Sequence, residues 1–144
     1  MSFELPPIVK LSERVMLDIE LAVRGFARYH KYTVGIQLRN EAREITKLCH
    51  RAWRDKPKQH EWLNRLVFAI DDFKLTIQLA KQLHAFKSFR QFEALARTIR
   101  DLGRQCGGWK KQQQSNGQNA QRQQSFVQRP QILSARDTSG EVMS

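Results

Sequence analysis

The chain has few of the residues that staple a protein, bend it or make it acidic. Its 144 residues include two cysteines, four prolines, seven glycines, and 14 Asp and Glu against 25 Lys and Arg. Cys49 and Cys106 are far apart and in no metal-like spacing, so the sequence offers no cysteine-based zinc site. Both fall where a helical core would hold them as small hydrophobes. His30, His50, His60 and His84 lie on different predicted helices or turns with no pair at ligand spacing, so neither metal nor cofactor is expected. There is no P-loop, dinucleotide-binding glycine pattern or nucleophile elbow. Asp71 and Asp72 are adjacent, so on a helix they point to different sides and form no carboxylate pair. Residues 1–7 carry Glu4 and no apolar run, and no apolar stretch reaches transmembrane length. The expectation is a cytoplasmic protein with no membrane association and no catalytic residues.

What remains is strongly basic. The formal net charge is +11 in a chain whose length suits one domain. Residues 1–111 hold 22 Lys and Arg against 12 Asp and Glu, and the remainder holds 3 against 2. The positive field therefore belongs to the part with a helical pattern, and such a field attracts polyanions.

Four amphipathic helices read off the spacing of apolar residues. The first is predicted over about 8–29, behind Pro6 and Pro7, with Ile8, Leu11, Val15, Ile19, Ala22, Phe26 and Tyr29 on one stripe. The second follows Thr33, a capping type, and carries Val34, Leu38, Ile45, Leu48 and Ala52 to about Trp53. Pro57 stands in the next turn. The third spans about 59–83 with Leu63, Leu66, Val67, Ile70, Phe73, Ile77 and Ala80. The fourth opens at Ser88, carries Phe92, Leu95, Ala96, Ile99, Leu102 and Cys106, and is predicted to end near Gly107-Gly108-Trp109. Short connections imply antiparallel neighbours. The predicted fold is all-α: an up-down-up-down four-helix bundle over 8–111, behind an extension of residues 1–7. A Gln- and Ser-rich stretch over 112–144 is too polar to bury a core and is expected to be a disordered tail.

The cations recur at helical spacing. Arg39, Arg43, Lys47, His50 and Arg54 form a ridge on the second helix, which Arg51, Lys56 and Lys58 extend. Arg90, Arg97, Arg100 and Arg104 repeat the pattern on the fourth, and Arg24, Arg28 and Lys31 add to it on the first. Glu41 and Glu44, then Glu93 and Asp101, neutralise part of each ridge. Arginine matches phosphate geometry. With no base-reading motif, the expected contact is to backbone and shape. Trp53, Trp62 and Trp109 sit near helix ends, where they either pack the core or meet a partner. Arg43 with His50, and Arg54 with His60, also fit the loose Arg–His spacing of the helical HEPN ribonucleases, a spacing that a chain this basic meets by chance.

Three segments carry a resemblance: Tyr32-Thr-Val-Gly35-Ile-Gln-Leu38-Arg39, Phe73-Lys-Leu-Thr-Ile-Gln-Leu79-Ala80, and Arg100-Asp-Leu102-Gly103-Arg-Gln-Cys-Gly107-Gly108-Trp109-Lys110. Together they resemble the accessory variability determinant proteins of diversity-generating retroelements. The terminal Leu-Gly-x-x-x-Gly-Gly-Trp-Lys is the most specific part. The intervening-sequence proteins of ribosomal RNA genes, also four-helix bundles, are similar in shape. The resemblance implies a homopentameric, non-catalytic subunit that binds the element's reverse transcriptase, its template RNA and the cDNA, and supports mutagenic cDNA synthesis and retrohoming. It places two basic residues four apart on the third helix; here those positions are Lys74 and Gln78, so only the first is basic.

Overall fold

The first helix, α1 (Pro7–Arg24), starts where proline suits a helix best, since Pro7 at the first turn has no N–H to leave unpaired. The Pro6 carbonyl accepts from Val9 and Lys10. A computed structural model describes the backbone of residues 5–143 and the side chains of residues 5–117. After α1 come a one-turn helix α2 (Arg28–Lys31), then α3 (Val34–Arg54), a 3-10 turn (Lys56–Lys58), α4 (Gln59–Gln82) and α5 (Phe89–Met143). The described residues are helical with no strand, four of the helices being long. Among the described residues no helix is long and apolar enough to cross a membrane.

Two compact units divide the chain, Met1–Lys110 and Lys111–Ser144. The first holds α1 to α4 and the start of α5; the second holds the rest of α5. In the first unit Ile19, Leu38, Ile45, Leu63, Leu66, Ile70, Phe73, Ile99 and Leu102 are buried to 2% exposure or less. Each such side chain contributes roughly 1.5–3 kcal/mol by leaving water. Ser12 and Thr46 are buried without a dangling hydroxyl. Ser12 donates to the Val9 carbonyl at 2.7 Å, and Thr46 donates to the Ser12 and Ala42 carbonyls at 3.2 Å.

The third predicted helix matches α4 to within a residue, and the second matches α3 nearly as well. Three other expectations are corrected. The first helix stops at Arg24, because the chain turns at Gly25 and Ala27 is extended. Phe26 is still buried, but Tyr29 lies on α2 facing water instead of closing the apolar stripe. Thr33 takes the position before α3, but its hydroxyl caps nothing there: it donates back to the Tyr29 carbonyl at 2.8 Å. At the other end, Gly107 and Gly108 do not terminate a helix. No glycine among the described residues has a positive φ, and α5 runs through both. Lys110, Lys111 and three glutamines follow, all good helix formers that offset the weakness of the glycine pair. The backbone is helical through 112–143, and the side chains of 118–144 lie outside the described residues. Ser88 behaves as expected and accepts the Gln91 N–H at 3.2 Å.

Candidate nucleic-acid interface

Every arginine of the expected ridge on α3 is on that helix's surface, but α1 lies alongside and supplies carboxylates. Arg39 Nε donates to Glu20 Oε1 at 2.7 Å, and Arg43 reaches the same oxygen at 3.6 Å. His50 Nε2 pairs with Glu13 Oε1 at 3.0 Å. The upper ridge, with the Arg43 and His50 of the Arg–His spacing, therefore ties α3 to α1. On α5, Arg97 pairs with Glu93 and Arg104 with Asp101, while Arg90 and Arg100 stay exposed.

The α3–α4 corner is different. Residues 47–65 hold Lys47, Arg51, Arg54, Lys56, Lys58 and Arg65 against Asp55 and Glu61. Among the described residues no carboxylate comes within 4.0 Å of any of these six cations. Asp55 is occupied: its Oδ2 accepts the Trp62 indole N–H at 2.9 Å. The guanidiniums of Arg51 and Arg65 lie over the Trp62 ring, 5.2 and 5.1 Å from its centroid, and Arg54 lies 5.9 Å over Trp53. Contacts of this kind are worth about 0.5–1 kcal/mol where exposed. They place each guanidinium beside a ring, which has no acceptor to take up all of its N–H donors, so that donors are left for an oxyanion.

Trp53, Trp62 and Trp109 are each partly buried and packed on the core; Trp53 and Trp62 stand near helix ends as expected, but Trp109 lies inside α5, because that helix continues past Gly107 and Gly108. Lys74 and Gln78 share an open groove of about 190 Å³ with Ile77, Ala96, Ile99 and Arg100, between α4 and α5. Lys74 can lie across α5 there because residue 103 is glycine: a Cβ at Gly103 would stand 3.2 Å from the Lys74 Nζ.

Two sets of exposed side chains were not foreseen. Phe68, Leu75, Leu79 and Leu83 recur along the water-facing side of α4, opposite its buried stripe. The signal was a second apolar set at helical spacing within one helix. The other set is aromatic: Tyr29, Tyr32 and Phe89 are 75%, 63% and 63% exposed.

Comparison with protein-family models finds none that matches the chain, and a search of curated proteins finds no significant match.

Proposed function

We propose that this protein is a non-catalytic subunit that binds nucleic acid through the cations of the α3–α4 corner. The observation that carries this reading is the set of six Lys and Arg side chains there that have no carboxylate partner among the described residues, three of them arginines lying over tryptophan rings. A surface made for solubility alone intersperses opposite charges, as the rest of α3 and α5 does. Held guanidiniums suit phosphate oxygens, and their spread along a corner suits a backbone more than a single ion.

The wider reading follows the resemblance. The helices form an antiparallel up-down-up-down bundle, which is supported for α1 and α3 by contacts that pair the earlier residues Ser12 and Glu13 with the later Thr46 and His50, and the later Glu20 with the earlier Arg39. Several bundles assemble as a homopentamer, supported by the exposed apolar side of α4. The assembly serves the reverse transcriptase of a diversity-generating retroelement, contacting it through Lys74, Gln78, Trp53, Trp62 and Trp109 and carrying template RNA and cDNA on the cationic surface.

The direct test is charge reversal of Arg54 and Lys58 to Glu, with binding to RNA followed by fluorescence anisotropy across a salt series. Affinity should fall by tenfold or more in low salt. The log–log salt slope should flatten by roughly 0.7–0.9 for each phosphate that is no longer neutralised. Unchanged affinity, or binding insensitive to salt, would overturn the corner as the site. A reverse-transcriptase gene with paired template and variable repeats next to this gene is the observation the wider reading requires.

A further inference from the structure

The end of the first unit opposite the α3–α4 corner combines exposed aromatic rings with uncompensated positive charge. Residues 21–38 and 81–92 hold six Lys and Arg and no Asp or Glu. The two segments meet: the Phe26 and Phe86 rings pack edge to face with centroids 5.4 Å apart, and Gly35 sits against Phe26 and the His30 carbonyl. Three large aromatics face water there, Tyr29 and Tyr32 around α2 and Phe89 at the start of α5. A stable core would have drawn such rings inward, and their neighbours Phe26, Phe86 and Phe92 are indeed packed.

Phe89 borders an open recess of about 350 Å³ shared with Lys81, His84, Phe86, Ser88 and Phe92. That volume is in the range of small-molecule sites, about 300–1,000 Å³. The Lys81 ammonium stands 4.9 Å from the Phe92 centroid and 5.9 Å from that of Phe89. It therefore lies where a phosphate would follow a base stacked on the rim. His84 shapes the recess with φ 56, a left-handed conformation that costs a non-glycine residue about 1 kcal/mol or more.

We propose that this end binds single-stranded nucleic acid by stacking unpaired bases on Tyr29, Tyr32 and Phe89, with Lys81 and its neighbouring cations holding the phosphates between them. The chemistry selects single strands, because a paired base keeps its faces inside the duplex, whereas an unpaired base offers them to a ring. A protein partner fits less well, since six cations with Glu41 alone beside them, taken up by Gln37 and Thr76, would demand an acidic partner and leave the separated rings unmatched. The inference rests on the nucleic-acid reading above but uses a different end of the molecule and a different force.

That difference makes the two separable. The full chain would be titrated against an oligothymidylate of about 16 nucleotides, near the upper site size of single-strand binders, and against a duplex of the same length. Replacing Tyr29 and Phe89 with Ala should weaken single-strand binding by roughly fivefold per ring. Duplex affinity and salt slope should be unchanged, because every cation that meets a phosphate is still in place. Tyr29→Phe, which keeps the ring, should bind as the parent does. Equal losses on both probes, or no loss on either, would overturn the stacking site while leaving the α3–α4 corner intact. A parent protein that binds neither probe would overturn both proposals.

Discussion

Cys49 and Cys106 show how strongly single side chains feel this core. Burial pushes the Cys49 thiol from an ordinary 9.0 up to about 12, against an opposing pull from Ser12, and pushes Cys106 up to about 11. In both cases the folded state resists losing the proton. Below pH 9 the folded and unfolded chains hold the same thiol protons, so stability is unaffected. Between 9 and 11 to 12 the unfolded chain has released protons that the folded chain keeps, so stability must fall as pH rises. The expected outcome is a melting temperature that declines above pH 9, with less decline in a Cys49→Ala, Cys106→Ala protein. Thiol-reactive dyes should label neither residue at pH 8 until denaturant is added, because the thiolate is the reactive form. Glu20 shows the reverse situation at the surface, where one carboxylate engages two arginines that would otherwise join the cationic face.

At the level of the helices, glycines of like appearance have opposite roles. A Cβ on Gly35 would stand 2.8 Å from Val23 Cγ1 and 2.9 Å from the His30 carbonyl, and a backbone oxygen cannot move aside cheaply. Gly35→Ala should therefore cost about 1–3 kcal/mol. A Cβ on Gly107 or Gly108 would meet nothing within 4 Å. Each of those changes to Ala should raise stability by about 1 kcal/mol through helix propensity alone. Urea midpoints of the three single variants check both signs. The same positions show what could be read from sequence. The stripes of α3 and α4 were legible because buried positions repeat without interruption. The first helix was overrun because Phe26 is buried whether or not the helix continues, so its spacing conceals the turn at Gly25. The glycine pair read as a stop because that signature ignores the helix formers after it. Cations could be counted, but their partners could not: Glu13 and Glu20 reach α3 from another helix, and reading along α3 alone shows only Glu41 and Glu44. The exposed rings were hidden for a related reason, since Tyr29 completes the stripe of a helix that ends before reaching it.

For the whole molecule, α4 is the element least satisfied by one chain. It buries Leu63, Leu66, Ile70, Phe73 and Ile77, and leaves Phe68 and Leu75 each 70% exposed on its other side. Burying that second side against further copies is the simplest use of it, and closed symmetry is the usual outcome. Light scattering should give the mass of a pentamer in moderate salt. Phe68→Glu with Leu75→Glu should reduce it to the single chain while leaving the helical circular dichroism unchanged, since neither side chain supports the core. A parent protein that stays monomeric at micromolar concentration would overturn the ring.

The indole of Trp62 has a use beyond holding arginines. An aromatic ring with two guanidiniums over it emits light in a strong local field, and its spectrum responds when that field changes. Replacing Trp53 and Trp109 with Phe would leave Trp62 as the sole emitter. If phosphates draw Arg51 and Arg65 off the ring, inorganic polyphosphate should shift the emission maximum, and sodium chloride of equal ionic strength should not. An unmoved spectrum would mean that the ligand never reaches those two guanidiniums. A shift with polyphosphate alone would make Trp62 an optical gauge of occupancy at the α3–α4 corner, readable without any label.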